Sequence, residues 1–280
     1  AVAVTLPHDA MIREKRDKDC PSGAQSGFYP GGVYTYEKKF MAQNEWKTQD
    51  VFLEFEGIYG IARVWINGAL AAVNRNGYMG FSVDLKPWIS YENENIIRID
   101  VDNSKQPNSR WYSGSGIYRD VNLWTGKDVY ISHDKLRITT LSVNDDMAVI
   151  EVCAQLKNII GHGLEAECLI EIKKDGQKTA SDTQRVVFRS EQMQTVRVQI
   201  PIEHPKKWSP KQPALYECHI TTKFDDKICD EAVSNFGIRV LELDPVHGLQ
   251  INGETVKLRG TCIHHDNGVI GAETFKEAEW

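Results

Sequence analysis

The sequence has no long apolar run, no excess of positive charge and no closely spaced cysteine pair. No stretch of about 18 apolar residues occurs, so we expect no membrane-spanning helix. The net charge is −6 with both signs spread along the chain, which argues against nucleic acid as a partner. Residues 1–8 lack the charged and apolar regions of a signal peptide, and the chain does not begin with Met. We therefore expect a processed protein or a piece of a longer one.

The cysteines do not form a zinc or redox motif, because no two of them have the C-x-x-C spacing. They are Cys20, Cys153, Cys168, Cys218, Cys229 and Cys262. Free cysteine is among the most buried residue types, and three of the six fall inside strand-like patterns. The sequence predicts buried free thiols, while pairing in an exported protein stays open.

Helical periodicity is also scarce, and no segment before about residue 243 has an apolar helical stripe. Val196, Val198 and Ile200 alternate with polar residues, which is the period of a half-buried strand. Asn67-Gly68 and Asp175-Gly176 predict tight hairpin turns, since these residue types accept positive φ, and Asp225-Asp226 predicts another. Many short strands with frequent turns predict an all-β fold.

Composition divides the chain into three parts. Residues 1–127 are rich in glycine and aromatics and predict a first sandwich or jelly roll. Residues 128–242 predict about seven plain strands, the size of an immunoglobulin-like sandwich. Residues 243–280 form the third part. Four tryptophans of the first sandwich are expected in its core: Trp46, Trp65, Trp88 and Trp124.

The last part has the pattern of a strand, a polar loop and a helix start. Residues 249–258 predict a small hairpin, and Arg259 to Ile263 continues as a strand. Thr274 and Glu277 have the spacing of a capping box, which predicts the start of a helix. A strand followed by a helix begins a βα unit, so we expect the chain to stop early in a (β/α) barrel.

Several segments together resemble glycoside hydrolase family 2, the β-galactosidase/β-glucuronidase family, and they occur in the family's order along the whole chain. The longest is Arg110-Trp111-Tyr112-Ser113-Gly114-Ser115-Gly116-Ile117-Tyr118-Arg119-Asp120-Val121. The others are Leu6-Pro7-His8-Asp9, Tyr29 to Phe40, Phe55 to Gly68, Gly77 to Leu85, and Ile251 to His264.

The resemblance implies a sugar-binding jelly roll, an immunoglobulin-like sandwich and a TIM barrel that carries catalysis. Retaining glycosidases use two carboxylates about 5 Å apart, and the family's two glutamates lie on later barrel strands. A barrel needs roughly 250 residues, whereas 280 − 242 leaves 38. We therefore expect no catalytic residue and no turnover from this chain alone. The favoured substrate is a β-galactoside, with a β-glucuronide or β-mannoside open, and no cofactor is implied.

The resemblance also places substrate-binding residues after the presumed first barrel strand. His264 matches a histidine that helps to bind the sugar, and His265 and Asp266 follow it. The alternative for His264 is a hydrogen-bonded histidine without a special role. A metal site at His-His-Asp is disfavoured, because adjacent residues at a strand end point in different directions.

A second group of candidates lies in the loop that the family extends from the jelly roll towards the barrel. Trp111 offers a flat apolar face for a sugar ring, and Asn108 and Arg110 offer hydrogen bonds to hydroxyls. The alternative is that Trp111 fills space at an interface between domains. Gly114 and Gly116 are predicted to serve tight backbone turns.

Two other functional classes compete with a glycosidase part. A stand-alone carbohydrate-binding module would bind sugar without catalysis, and a structural pair of sandwiches would resemble an adhesin. The strand-loop-helix pattern at the end disfavours the adhesin. Carbohydrate is the expected partner, a homo-oligomer stays open, and the usual substrates of such enzymes favour a periplasmic or secreted bacterial protein.

Overall fold

The computed structural model describes residues 1–189, 191–264 and 266–278, and β strands make up nearly all of their regular structure. The helices in this part of the chain are short 3-10 turns at Met11–Arg13, Gly23–Ser26, Asn44–Thr48 and Gly268–Ile270. None of them has the length and apolarity that crossing a lipid bilayer requires. The predicted all-β fold is confirmed.

The chain forms two compact units. The first contains the described residues of Ala1–Thr125 and Thr261–Trp280, and the second contains those of Gly126–Gly260. The division into three domains at residues 127 and 242 stays a prediction.

The first unit is a sandwich of two antiparallel sheets. One sheet has the strand order β1-β6-β3-β4 and the other has the order β5-β2-β7. The strands are β1 (Val33–Phe40), β2 (Asp50–Phe55), β3 (Ile61–Ile66), β4 (Ala69–Asn74), β5 (Phe81–Asp84), β6 (Asn95–Asp102) and β7 (Val121–Gly126).

Alternating residues of these strands fill the space between the two sheets. On β6, Ile97, Ile99 and Val101 are all buried, while Arg98 between them is exposed. Trp46 is buried and Trp88 packs against the same core, as predicted. The prediction is wrong for Trp65, which lies on the outer face of β3 because its two neighbours point inward.

Trp124 is also outside the buried core. It is half-buried, and its ring stacks on that of Phe52 with the centroids 4.2 Å apart. An aromatic pair of this kind covers part of its surface without entering the space between the sheets.

The second unit is also a two-sheet sandwich, with strand orders β11-β10-β13-β14 and β12-β9-β8. The strands are β8 (Val129–Val143), β9 (Met147–Asn158), β10 (Leu164–Lys174), β11 (Gln177–Phe188), β12 (Met193–Glu203), β13 (Tyr216–Phe224) and β14 (Lys227–Phe236). Seven strands over this part of the described chain agree with the predicted immunoglobulin-like sandwich. Long runs of alternating burial on β9 and β12 supply much of its core.

The hairpin turns form where the sequence predicts them. Asn67-Gly68 joins β3 to β4 with φ of 50° and 83°, and Asp175-Gly176 joins β10 to β11 with φ of 51° and 78°. Asp225-Asp226 joins β13 to β14, again with positive φ at both residues. Paired positive φ values match the right-handed twist of the flanking strands.

The cysteines are unpaired, as expected, but they are not all buried. Cys168 and Cys218 lie in the second core, where burial raises the pKa of each thiol to about 12. Cys20 is buried as well, whereas Cys153 and Cys229 are half-buried. Cys262 is exposed, because it lies in a segment without regular structure.

The second unit ends in a small three-stranded sheet of β15 (Leu241–Asp244), β16 (Gly248–Ile251) and β17 (Glu254–Thr255). The predicted hairpin is confirmed, with Asn252-Gly253 as its turn. The predicted strand at Arg259–Ile263 is wrong: no described strand pairs with this segment, and a strand requires a ladder partner.

The predicted helix start at Thr274 is also wrong for the residues that the structure describes. A turn closes there, in which Ala278 N–H donates to the Phe275 carbonyl at 3.0 Å. The Thr274 hydroxyl donates back to the Ala272 carbonyl at 3.2 Å, and no N–H of the described residues donates to it as a capping bond would require. A single turn requires the full free energy of helix nucleation but forms few hydrogen bonds.

Candidate functional site

A buried carboxylate organises the loop that carries most of the predicted site residues. Asp9 has no exposed surface, and its Oδ1 accepts hydrogen bonds from the Met11 and Ser115 N–H groups, each at 3.0 Å. Its Oδ2 accepts from the Tyr112 hydroxyl at 2.6 Å and from the Ala272 N–H at 2.9 Å. The four donors come from three separate segments of the first unit. Asp9 therefore holds the 103–120 loop between β6 and β7 against residues near the end of the chain.

The same contacts change the acidity of Tyr112. Burial raises the pKa of its phenol, and the negative charge of Asp9 raises it further. The hydroxyl therefore stays protonated and donates to Asp9 throughout the physiological pH range. The Asp9 N–H also donates to Glu273 Oε1 at 3.2 Å. The segment with Ala272 and Glu273 is therefore bound by both the side chain and the backbone of Asp9.

His8 lies next to this centre and is only 6% exposed. Its Nδ1 is 2.9 Å from the Tyr36 hydroxyl, and its N–H donates to the Ile117 carbonyl at 2.7 Å. Burial lowers the pKa of the imidazole, and the positive charge of Arg13 lowers it further. The neutral ring is therefore the form that the folded chain prefers.

We expect the stability of wild type to fall, relative to that of a His8→Gln variant, as the pH drops below about 6.5. The folded-state pKa of His8 is lower than its unfolded-state value near 6.5, so the unfolded chain takes up the proton first. The relative loss continues down to the folded-state pKa, with a slope of at most about 1.4 kcal/mol per pH unit. Urea unfolding of both proteins between pH 7.5 and 5 checks this, and parallel stability curves would contradict it.

Trp111 and His264 lie in contact, which brings together one residue from each group of predicted site residues. Their ring centroids are 4.6 Å apart and the ring planes make an angle of 54°. Trp111 is half-buried and His264 is exposed, so the pair presents aromatic surface to solvent. The Ser109 hydroxyl donates to the Trp111 carbonyl at 2.7 Å and fixes the backbone there.

The other predicted residues lie nearby in sequence but have different roles. Asn108 Nδ2 donates to Asn103 Oδ1 at 2.6 Å, so this part of its amide shapes the loop. Arg110 is exposed, and its guanidinium has no hydrogen bond or ion pair within the described residues. The exposed Asp266 uses Oδ1 to accept the Gly268 N–H at 3.0 Å, which closes its own turn. His265 lies outside the described residues.

Two family models match the sequence over adjoining ranges that correspond to the two sandwiches. Residues 25–129 match a model described as the glycosyl hydrolase 2 galactose-binding domain-like domain. Residues 129–239 match a model described as glycosyl hydrolases family 2. The chain belongs to glycosyl hydrolase family 2.

Family 2 relatives resemble the chain over nearly its whole length. Beta-galactosidase BoGH2A of Bacteroides ovatus is 32% identical over 278 residues, which are 95% of this chain and 32% of the relative. A putative beta-glucuronidase of Formosa agariphila is 28% identical over 273 residues, covering 98% of this chain and 26% of that protein. The chain thus spans about a third or less of the length of these relatives.

Solved structures of family 2 members show the same fold. A glycosyl hydrolase family 2 member from Bacteroides cellulosilyticus superposes with a TM-score of 0.92 at 30% identity, covering 99% of this chain and 36% of that one. A beta-glycosidase from Bacteroides vulgatus gives a TM-score of 0.85 at 31% identity, covering 97% of this chain and 34% of that one.

Asp9 does not have the properties of a family 2 catalytic carboxylate. A glycosidase nucleophile or acid needs at least one oxygen that faces the substrate. Both oxygens of Asp9 are saturated by two donors each, and the residue is fully buried. The Leu6-Pro7-His8-Asp9 motif was identified from the sequence, but it did not predict that Asp9 would hold three segments together. The available indication was an acidic residue next to a turn near the start of the chain.

Proposed function

We propose that the chain is the N-terminal, non-catalytic part of a retaining β-glycosidase that acts on β-galactosides. The observation that carries this is the family 2 match over residues 25–239 in a chain that spans 32% of the length of a beta-galactosidase relative. The same relative, at 32% identity, favours a galactoside over the glucuronides named for other relatives. A periplasmic or secreted location fits such a substrate.

In this proposal the 103–120 loop places Trp111 at the rim of an active site that the rest of the protein forms. The Trp111 indole supplies a flat apolar face for the C–H face of a pyranose, and His264 lies against that indole. The exposed guanidinium of Arg110 adds donors for sugar hydroxyls. Asp9 and Asn103 hold the loop in place, so little ordering is needed when sugar binds.

The assay substrates are 4-nitrophenyl β-galactoside and 4-nitrophenyl β-glucuronide. We expect the 280-residue chain alone to release no 4-nitrophenol from either of them. The full-length protein should hydrolyse the galactoside with the higher kcat/KM. In the full-length protein, Trp111→Ala should lower kcat/KM about 10- to 100-fold, since covering an aromatic face is worth about 1.5–3 kcal/mol. Initial rates over a range of substrate concentrations measure each effect.

A full-length Trp65→Ala variant is the matched control, because Trp65 is also half-buried but lies on the outer face of β3. It should keep the wild-type kcat/KM. Turnover by the 280-residue chain would overturn the non-catalytic assignment, and a preference for the glucuronide would overturn the substrate. Equal losses of kcat/KM from Trp65→Ala and Trp111→Ala would contradict the substrate-binding role proposed for the 103–120 loop. Sugar binding without hydrolysis by the full-length protein would favour a carbohydrate-binding module.

A further inference from the structure

A cavity of about 400 Å³ opens in the first unit, and neither Trp111 nor His264 lines it. Three loops line it: residues 56–60 between β2 and β3, residues 75–80 between β4 and β5, and the start of the 103–120 loop. This volume lies in the range of sites for small ligands.

Two tyrosines form an aromatic wall of the cavity. The Tyr59 and Tyr78 rings meet edge to face with their centroids 5.2 Å apart. Tyr59 is half-buried, and burial raises the pKa of its phenol to about 12, with a further contribution from Tyr78. Tyr78 is 42% exposed, so much of its surface is open to a ligand. An amphipathic wall of this kind suits a pyranose ring.

The loop that carries Tyr78 is held in place before any ligand binds. Asn74 Nδ2 donates to the Asn76 and Met79 carbonyls at 3.0 and 3.1 Å. Asn76 Oδ1 accepts the Tyr78 N–H at 3.0 Å, and the Tyr118 hydroxyl donates to the Gly77 carbonyl at 2.9 Å. These bonds leave Asn76 Nδ2 available to the cavity, since no described residue accepts from it.

The charged groups of the cavity make it locally positive in a chain whose net charge is −6. Arg75 and Lys105 line the cavity, and no described residue forms an ion pair or hydrogen bond with either side-chain cation. The one acid of the lining, Asp102, is already engaged. It accepts the Ser104 N–H and hydroxyl at 3.1 and 2.7 Å, and it lies 3.7 Å from Arg63.

We propose that this cavity binds an acidic sugar, a hexuronate unit of a glycan. The pyranose ring would pack on Tyr78, and its carboxylate would pair with Arg75 and Lys105. Asn76 Nδ2 would donate to a ring hydroxyl, and the Asn108 Oδ1, which no described donor occupies, would accept from one. A bidentate guanidinium and a mobile ammonium together match a carboxylate. The site goes beyond the proposed function, because it concerns sugar binding by the first unit without hydrolysis.

Titration calorimetry of the 280-residue chain tests the proposal, with D-galacturonate, D-glucuronate, D-galactose and sodium acetate as probes. At least one uronate should bind, at least tenfold more tightly than galactose or acetate. An Arg75→Gln/Lys105→Gln variant should lose at least tenfold in uronate affinity. Tyr78→Ala should weaken uronate binding without creating acetate binding. Uronate affinity should also fall as the salt concentration rises, because the two cations are exposed.

The matched control is a Lys15→Gln/Lys18→Gln variant, which removes the same two charges from exposed positions outside the cavity. It should bind uronate within twofold of wild type, and all variants should melt near the wild-type temperature. Absence of uronate binding, equal binding of galactose or acetate, or equal losses from both double variants would overturn the proposal. Turnover by the full-length protein is a separate measurement, so the proposed glycosidase function can stand or fall independently.

Discussion

Replacing Asp9 with alanine is expected to lower the free energy of unfolding of the first unit by about 4 kcal/mol. The change leaves three backbone N–H groups and the Tyr112 hydroxyl without their acceptor, at a residue with no exposed surface. Each buried donor that loses its partner costs about 1–3 kcal/mol, and partial relaxation or entry of water reduces the sum. A loss of this size is a large part of the stability of one domain.

Differential scanning calorimetry measures the effect as a fall of about 8–16 °C in the melting temperature of the first unit, at about 2–4 °C per kcal/mol. Asp9→Asn should be intermediate, because its amide keeps one acceptor oxygen but turns an NH₂ group towards two donors. Asp84→Ala is the control: the Asp84 carboxylate accepts the Lys86 N–H at 2.9 Å at the surface. That variant should lose less than about 1 kcal/mol. A melting temperature for Asp9→Ala within 2 °C of wild type would contradict the role given to Asp9.

Gly116→Ala is expected to cost about 3 kcal/mol. An added Cβ would lie 2.5 Å from the Tyr36 hydroxyl oxygen and 2.6 Å from the His8 carbonyl oxygen. The His8 oxygen belongs to backbone that is hydrogen-bonded along Ile117, so it cannot move aside easily. The φ of 141° adds strain, because this region strongly favours glycine. Overpacking and backbone strain each contribute about 1–3 kcal/mol.

Gly68→Ala separates these two contributions. Gly68 also has positive φ, at 83°, but a Cβ there would meet nothing within 4 Å. It should cost about 1–2 kcal/mol from strain alone. Gly116→Ala should cost less in a Tyr36→Phe background than in wild type, because the close tyrosine oxygen is gone; the Tyr36→Phe single variant accounts for the lost contact with His8. Equal melting temperatures for the Gly68 and Gly116 variants would show that the close contacts at Gly116 do not matter.

Local sequence patterns predicted the strands and hairpins because the forces that form them are local. The alternation of Ile97, Ile99 and Val101 already specifies which face of β6 is buried. Asn67-Gly68 and Asp175-Gly176 specify their turns because few other residues accept positive φ. The prediction for Trp65 was wrong because residue type indicates burial only on average. The alternation along β3 decides which of its side chains are buried.

Elements that depend on distant partners were predicted poorly. The segment Arg259–Ile263 has the composition of a strand, but strand formation requires a neighbouring strand, which no local pattern reveals. The role of Asp9 depends on Ala272, which is 263 positions away in the sequence. The contact between Trp111 and His264 was not predicted, since no periodicity connects the 103–120 loop with the end of the sequence.

The distance in sequence between Asp9 and Ala272 also sets an order of events during synthesis. Tyr112 and Ser115 leave the ribosome early, but Ala272 follows Ser115 by 272 − 115 = 157 residues, after the entire second sandwich. At roughly 5–20 residues per second, translation takes roughly 8–30 s to add these residues. During this interval one oxygen of Asp9 lacks its last donor. A first sandwich that folds during this interval therefore does so without the hydrogen bond from Ala272.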